Sequence, residues 1–267
     1  MSSEVETSRG TSGRTATGFL DFARHDMTAH GGRGLFESLD VYHDIFPHTA
    51  PLNMAIDEAL LEQVAVPSIR FYQWHSPALS FGYFGKFTDV ANYAGERDLV
   101  RRWTGGGIVF HGDDLTYSII IPLSDPAFAQ SSISIYEKIH LALVKALTEI
   151  GQYAVVAGVG DPGPRSAPVT RAGIADAGYS NCFANPVHAD VMLDGRKIAG
   201  AAQRRMRQGL LQQGSIQQID FEDGLPERFS RELSNNCEPR NLPEAVHYRA
   251  RELAERKYGT TAWLRKR

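Results

Sequence analysis

The 267-residue sequence predicts an α+β fold, a mixed or antiparallel sheet with helices packed on it. Segments of strand length with alternating or continuous apolar residues recur along the chain, and one pair of them flanks an Asp-Gly dipeptide. Other stretches, at residues 51–64, 135–150 and in the tail, carry apolar residues at helical spacing.

The order of elements follows from local chemistry. Residues 1–38 are rich in Ser, Thr, Gly and Arg near their start, and such a segment cannot bury enough surface to offset its ordering entropy, so it is expected to be disordered. It has no apolar secretory core. Its Arg and Ser content resembles a transit segment, which Glu4 and Glu6 argue against, and Met27 offers a second start position. A single domain is expected from residue 39 to residue 267. Residues 51–64 read as a helix with Pro51 in its first turn and Met54, Leu60 and Leu61 toward a core. SIRFYQW and ALSFGYFG read as strands, DLVRR leads through WTGGG to IVFH, and LTYSIIIP reads as a buried strand closed by Pro122. A helix over 135–150 is expected, with Ser134 and Glu137 as its capping box and Gly151 as its stop. Residues 156–178 are rich in Gly, Pro and Ala and read as a mobile loop. HADVML and RKIAGAAQ form a hairpin around Asp194-Gly195, a dipeptide suited to a type I′ turn. GLLQQGSIQQID reads as a further strand, and one amphipathic helix in the tail ends at Gly259.

Composition narrows the function classes. The chain is 42% hydrophobic and 22% charged, as in ordinary soluble domains. The net charge of −3 gives no overall footprint for nucleic acid, and no apolar run reaches the 18 residues of a membrane span. Cys182 and Cys237 lie far apart and the nine histidines show no ligand spacing, so neither a disulfide scaffold nor a metal is inferred. A reducing cytoplasm is the expected setting.

Three clusters carry chemistry. Arg101 and Arg102 precede Trp103, Thr104 and the run Gly105, Gly106 and Gly107, with His111 four residues on. Adjacent glycines are costly in regular structure and suit a backbone that approaches a ligand, although glycine loops also serve as plain connectors. The run matches neither G-x-G-x-x-G nor the Walker pattern. In DGRKIAGAAQRR, strand alternation puts Lys197 with Ala199 on one face and Ile198 with Gly200 on the other. By spacing alone a solvated lysine is the commoner outcome there. Cys182, in YSNCFANP, reads as a small core residue or a loop nucleophile.

RRWTGGGIVFH followed by DDLTYS resembles the lipoate-site motif of the lipoate–protein ligase and lipoyl/octanoyl transferase family. DGRKIAGAAQRR followed by GLLQQGSI resembles its lysine motif, and NMAIDEALL resembles its first helix, in the expected order over residues 40–220. The resemblance implies the α+β fold shared with biotin ligases. It further implies an acyl pocket lined by Arg102, Thr104, Gly105, Gly106, Gly107, His111 and Gly200, with Lys197 against the acyl carbonyl. YSNCFANP resembles the region where one transferase subgroup places its nucleophile, which makes Cys182 the thioester-forming residue. A transferase of this kind requires no cofactor. The alternative, a ligase, requires ATP and magnesium, and few residues follow position 222 for an accessory domain. A non-catalytic carrier-binding protein is the reading from another class, and a biotin ligase is a more distant one. Implied partners are lipoyl carrier proteins, either the glycine-cleavage H protein or dehydrogenase E2 lipoyl domains, with acyl carrier protein as donor. Arg196, Arg204, Arg205 and Arg207 crowd the lysine motif and are expected to steer such a carrier.

Overall fold

The computed structural model describes residues 34–159, 186–219 and 224–266. Most of the expected disordered segment, the Gly-Pro-Ala loop from residue 160 on, and Cys182 lie outside those residues. Packing begins a little before Leu39, because Phe36 is buried and its N–H donates to the Leu233 carbonyl at 3.0 Å.

The strands are β1 (Leu39–His48), β2 (Ser68–Trp74), β3 (Ala78–Phe81), β4 (Asp98–Arg101), β5 (Ile108–His111), β6 (Leu115–Pro122), β7 (Val155–Val156), β8 (Val191–Leu193), β9 (Arg196–Arg205), β10 (Gly209–Ile216) and β11 (Cys237–Arg240). The helices are α1 (Ala50–Gln63), α2 (Ser132–Glu149), α3 (Leu225–Leu233), α4 (Glu244–Leu253) and α5 (Thr261–Leu264), with a π-helical turn at Ala254–Tyr258. Eight strands form one sheet in the order β11-β1-β2-β6-β10-β9-β8-β7, and β4-β3-β5 form a second. β1 runs parallel to β2 and β11, whereas β2, β6, β10, β9 and β8 pair antiparallel, so the large sheet is mixed.

The fold has three layers. Ile119 and Ile121 of β6 face Ile135, Ile139, Leu143 and Leu147 of α2 and Phe229 of α3, while Ile120 faces the side covered by α1 and α4. Because both faces are covered, all eight residues of β6 are buried, which is why LTYSIIIP reads as a continuous apolar run.

Local signals held in several places. Pro51 sits in the first turn of α1, and Gly151 takes φ 79° just past α2. Asp194 and Gly195 take φ values of 49° and 74°, the type I′ geometry of the expected hairpin. Other expectations are corrected. The cap of α2 is Ser131, whose Oγ accepts from the Ser134 N–H at 3.1 Å, so the helix starts a turn before the expected capping box. Glu137 instead binds His188 at 2.6 Å. The tail holds α3 and β11 besides the expected amphipathic helix; Leu225, Phe229 and Leu233, four residues apart, are the stripe that α3 buries.

One polar group organises the covered side of the sheet. Asp57, on the buried face of α1, accepts at Oδ1 from Arg70 Nη1 and Ser118 Oγ, both at 2.8 Å. Its Oδ2 accepts from Gln213 Nε2 at 2.7 Å and from Tyr72 Oη at 3.2 Å. Arg70 also binds Asp44 and Asn53 Oδ1, each at 2.7 Å, and lies 4.0 Å from the Tyr72 ring centre. Asp57→Ala would leave the buried guanidinium short of one partner and strand three further donors. It is expected to cost about 3–5 kcal/mol, the usual penalty for breaking a buried pair from one side. Urea unfolding of the two proteins measures it, and a difference under about 1 kcal/mol would contradict the assignment of Asp57 as the centre of this network.

Candidate acyl-transfer site

The glycine loop is shaped by β3 and by Arg102. Gly106 takes φ 83°, a conformation that side chains disfavour. A Cβ on Gly82 would lie 2.0 Å from the Gly106 carbonyl oxygen, so the end of β3 and the loop touch backbone to backbone. Arg102 donates to the Gly105 carbonyl at 3.0 Å and to the Gly107 carbonyl at 2.8 Å, and its Nη1 donates to Ser80 Oγ at 2.7 Å. Thr104 Oγ1 donates to Gln213 Oε1 at 2.8 Å, which ties the loop to the Asp57 network. Arg101 points away from the cleft. It is fully buried and donates to the carbonyls of Tyr83, Gly85, Trp263, Leu264 and Lys266, fastening residues 263–266 to the turn after β3.

Lys197 is not solvated. Its Nζ lies 2.8 Å from Asp190 Oδ2, and both side chains are buried. Asp190 is held by the Tyr136 hydroxyl at 2.7 Å and by the Val187 N–H at 2.7 Å. The Tyr136 oxygen in turn accepts the Ala201 N–H at 3.0 Å. Burial, and then the charge of Asp190, push the Tyr136 hydroxyl far above its ordinary range, so it stays a donor. The expected strand alternation fails at this point. The register of β8 on β9 shifts between Val191 and Met192, so that Val191 pairs with Ala199 and Met192 with Lys197. This bulge brings Lys197 to the face of Gly200, where a Cβ would meet Lys197 Cε at 2.5 Å and Nζ at 2.6 Å. The missing side chain of Gly200 is therefore the space the lysine occupies.

His111 Nδ1 lies 2.8 Å from Asp114 Oδ2, its Nε2 lies 2.6 Å from Ser80 Oγ, and its ring stacks on Trp74 at 4.0 Å between centres. Burial alone would raise the Asp114 carboxyl. The His111 charge and the hydrogen bonds from His111, Ser215 and Thr116 outweigh it and hold the group below its ordinary value.

These groups meet around one cleft, with Met54, Tyr72, Trp74 and Val109 supplying apolar wall and Arg102, Ser80, His111, Lys197 and Gln213 supplying polar groups. Of the residues expected at the site, Arg102, Gly106, His111, Lys197 and Gly200 line this cleft. Thr104, Gly105 and Gly107 shape the loop from behind, through the bonds above. The structure brings in Asp190, Tyr136, Ser80 and Asp114, which the motif reading did not single out. Asp190 and Asp114 were visible as acids beside HADVML and in DDLTYS, but nothing in the sequence marks which acid faces inward. Two of the arginines expected to face a carrier are engaged by the chain itself: Arg204 donates to the Trp103 carbonyl at 3.0 Å, and Arg205 donates to the Phe128 and Gln130 carbonyls at 2.6 Å. Among the described residues no cluster of His, Cys, Asp and Glu could hold a metal, and no helix is long and apolar enough to cross a membrane.

Residues 49–239 match the lipoyl protein ligase A/B catalytic domain, which is most of the chain. The chain belongs to this family. Octanoyltransferase LipM of Macrococcus caseolyticus is 39% identical over 184 residues, covering 64% of this chain and 63% of that protein. Octanoyltransferase LipM of Symbiobacterium thermophilum is 34% identical over 225 residues, covering 81% of this chain and 78% of that one. The match thus spans less than two thirds of the Macrococcus protein's length. A crystal structure of lipoate-protein ligase A bound with ATP superposes with a TM-score of 0.65 at 22% identity, covering 86% of this chain and 98% of that one. A lipoate protein ligase from T. acidophilum with bound lipoic acid gives 0.65 at 21%, covering 85% and 98%. At such identities the likeness is one of fold, and it is the α+β fold of the lipoate-ligase catalytic domain.

The segment that carries Asp190 depends on a buried histidine. His140 Nδ1 donates to the Ala189 carbonyl at 2.5 Å, leaving Nε2 to accept from the Tyr117 hydroxyl at 3.1 Å. Burial pushes this imidazole down to about 4. The unfolded value is near 6.5, so the folded state binds the proton less tightly than the unfolded chain. The contribution is complete above about pH 6.5 and is withdrawn as pH falls toward 4. The loss is on the order of 3 kcal/mol. Urea unfolding at neutral pH and near pH 4.5 should show a flatter pH slope for His140→Gln than for wild type; equal slopes would refute the linkage.

Proposed function

We propose that this chain is an acyltransferase that moves an octanoyl or lipoyl group onto a specific lysine of a lipoyl carrier protein, by way of a thioester on Cys182. The observation that carries the reading is the buried Lys197 ammonium, set by Asp190 and the β8–β9 bulge to face the same cleft as the glycine loop. Acyl transfer builds negative charge on the carbonyl oxygen, and a fixed cation in a water-poor cleft stabilises that charge more than it stabilises the neutral ground state. The relatives named octanoyltransferase support this direction over ATP-dependent ligation.

In the proposed sequence the Cys182 thiolate attacks the donor thioester carbonyl, the donor C–S bond breaks, and the donor leaves as its thiolate. The carrier lysine then attacks the acyl-Cys182 carbonyl, an amide forms, and Cys182 is released. A thiolate suits both halves, because it attacks thioesters readily and leaves readily. An acyl carrier protein is the donor in this reading. The acceptors are the glycine-cleavage H protein or dehydrogenase E2 lipoyl domains. In support, one structural neighbour is a bi-partite lipoate protein ligase from Thermoplasma acidophilum that was studied with its E2 lipoyl domain. No cofactor is needed on this route, whereas ligation would take free acid, ATP and magnesium.

Intact-mass measurement separates the two routes. Octanoyl-carrier without ATP is expected to leave one hydroxylamine-labile octanoyl group on wild type and none on Cys182→Ala. If Cys182→Ala modifies the acceptor at the wild-type rate with octanoate and ATP, the chain is a ligase instead.

Gly200→Ala probes the lysine. The added methyl would occupy the space of Lys197 Cε and Nζ, and the flexible ammonium end is what must yield. Transfer is expected to fall about 100-fold or more, as on loss of an oxyanion partner. Lys197→Ala should show the same loss. Full activity in either variant would remove Lys197 from the mechanism.

A further inference from the structure

The acceptor lysine reaches the cleft as an ammonium, with an ordinary pKa near 10.4, and must lose a proton before it can attack. The cleft wall holds Arg102, whose guanidinium has no proton-accepting site, and Lys197, which is engaged with Asp190 at 2.8 Å. It also holds one imidazole, His111, and a hydroxyl, Ser80, placed against it.

The hydrogen-bond pattern sets where the protons sit. Asp114 Oδ2 accepts from His111 Nδ1 at 2.8 Å, Thr116 Oγ1 at 2.8 Å and Ser215 Oγ at 2.7 Å, and Oδ1 accepts the Gly112 N–H at 3.1 Å. Thr116 Oγ1 is itself fixed as a donor to Asp114, because it already accepts the Trp74 indole N–H at 2.7 Å. A carboxylate ringed by four donors is an ionised acceptor, so His111 Nδ1 carries its proton. In its neutral form His111 then offers a lone pair at Nε2, to which the Ser80 hydroxyl, 2.6 Å away, can donate. Arg102 Nη1 occupies one lone pair of Ser80 Oγ from the loop side. The second lone pair has no partner among the described residues, and Ser80 itself is fully buried in the cleft wall.

We propose that Ser80, His111 and Asp114 form the proton relay that deprotonates the incoming acceptor amine, an inference that rests on the acyltransferase reading above. One N–H proton of the ammonium passes to Ser80 Oγ as the Ser80 hydroxyl proton passes to His111 Nε2. The imidazolium so formed is stabilised by the Asp114 carboxylate. The neutral amine attacks the acyl carbon, the C–S bond breaks, and the surplus proton on the new amide nitrogen neutralises the departing thiolate. His111, which keeps a slight exposure, then returns its proton to solvent. Ser80 and His111 are catalytic residues in this scheme, and Asp114 is a positioning residue that fixes the tautomer.

The relay predicts a dependence on the nucleophile that a merely structural network would not show. Enzyme loaded with octanoyl from a thioester donor is divided between two acceptors, the carrier lysine and hydroxylamine, which is already unprotonated at neutral pH. Ser80→Ala, which removes a single oxygen, is expected to slow transfer to the carrier by about 100-fold or more, the usual worth of a general base, while hydroxylamine release slows by less than about tenfold. Asp114→Asn, whose amide can donate to Nδ1 and so favours the opposite tautomer, should show the same selective loss. Equal slowing with both acceptors, or carrier transfer near the wild-type rate in Ser80→Ala, overturns the relay. Failure of wild type to take up any octanoyl from the donor overturns the acyltransferase reading and the relay with it.

Discussion

A buried carboxylate between a helix and a sheet sets most of this architecture. Asp57 has no exposure to solvent, and a charged group in that position is tolerable only if its oxygens are fully engaged. They are engaged by β2 through Arg70 and Tyr72, by β6 through Ser118, and by β10 through Gln213. Three strands and α1 are thereby held in one register. Apolar packing alone would allow α1 to slide, since its flanking residues Met54, Ile56, Leu60 and Leu61 are interchangeable in chemistry. The directional bonds remove that freedom. Gln213 carries the constraint onward, because its amide nitrogen serves Asp57 while its oxygen serves Thr104 of the glycine loop. The position of the loop is thus inherited from the helix-to-sheet contact.

The cations of the site obey the same rule at closer range. Arg101 and Arg102 are adjacent, yet one faces the last residues of the chain and the other faces the cleft, as alternation at the end of β4 requires. Arg102 donates to the Gly105 and Gly107 carbonyls, so the glycine loop is fixed by a guanidinium behind it. Lys197 is fixed by Asp190, Asp190 by Tyr136, and Tyr136 by the backbone of Ala201 on the lysine's own strand. A charge oriented this way would need little reorganisation if an acyl oxygen became negative beside it, as the proposed transfer requires.

Much of this was legible in the sequence, and the exceptions have physical reasons. The Asp-Gly turn and the Gly151 stop are backbone demands that few residue types meet, so they show as single letters. The α2 cap was misplaced because Ser131 and Ser134 offer the same chemistry three residues apart, and Ser134 happens to precede a Glu. The face of Lys197 was misassigned because a bulge consumes one residue of a strand without changing its composition. The partners of the site were hidden for a different reason. Asp190, Tyr136 and Ser80 lie on three elements far apart in sequence, and only the packing of α2 over the β8–β9 hairpin, with β3 beside β5, brings them to their bonds.

The arginines of the lysine motif make contacts within the chain that their charge alone does not foretell. Four of them within a dozen residues look like a basic surface for an acidic partner. Arg204 instead lies over the rings of Tyr83 and Trp103, at 4.7 and 4.9 Å, and Arg205 lies 4.3 Å from the Phe128 ring centre. A planar guanidinium in such a stack gives up part of its hydration for ring and carbonyl contacts. Trp103 also receives the Lys257 ammonium at 4.2 Å, and Lys257 is tied to Glu58 of α1 at 2.5 Å. The tryptophan next to the glycine loop is therefore clasped by β9 on one side and by the π-helical turn on the other. Basic residues here serve first to immobilise the loop, and the last turns of the chain, through Arg101 and Lys257, are part of the same clamp.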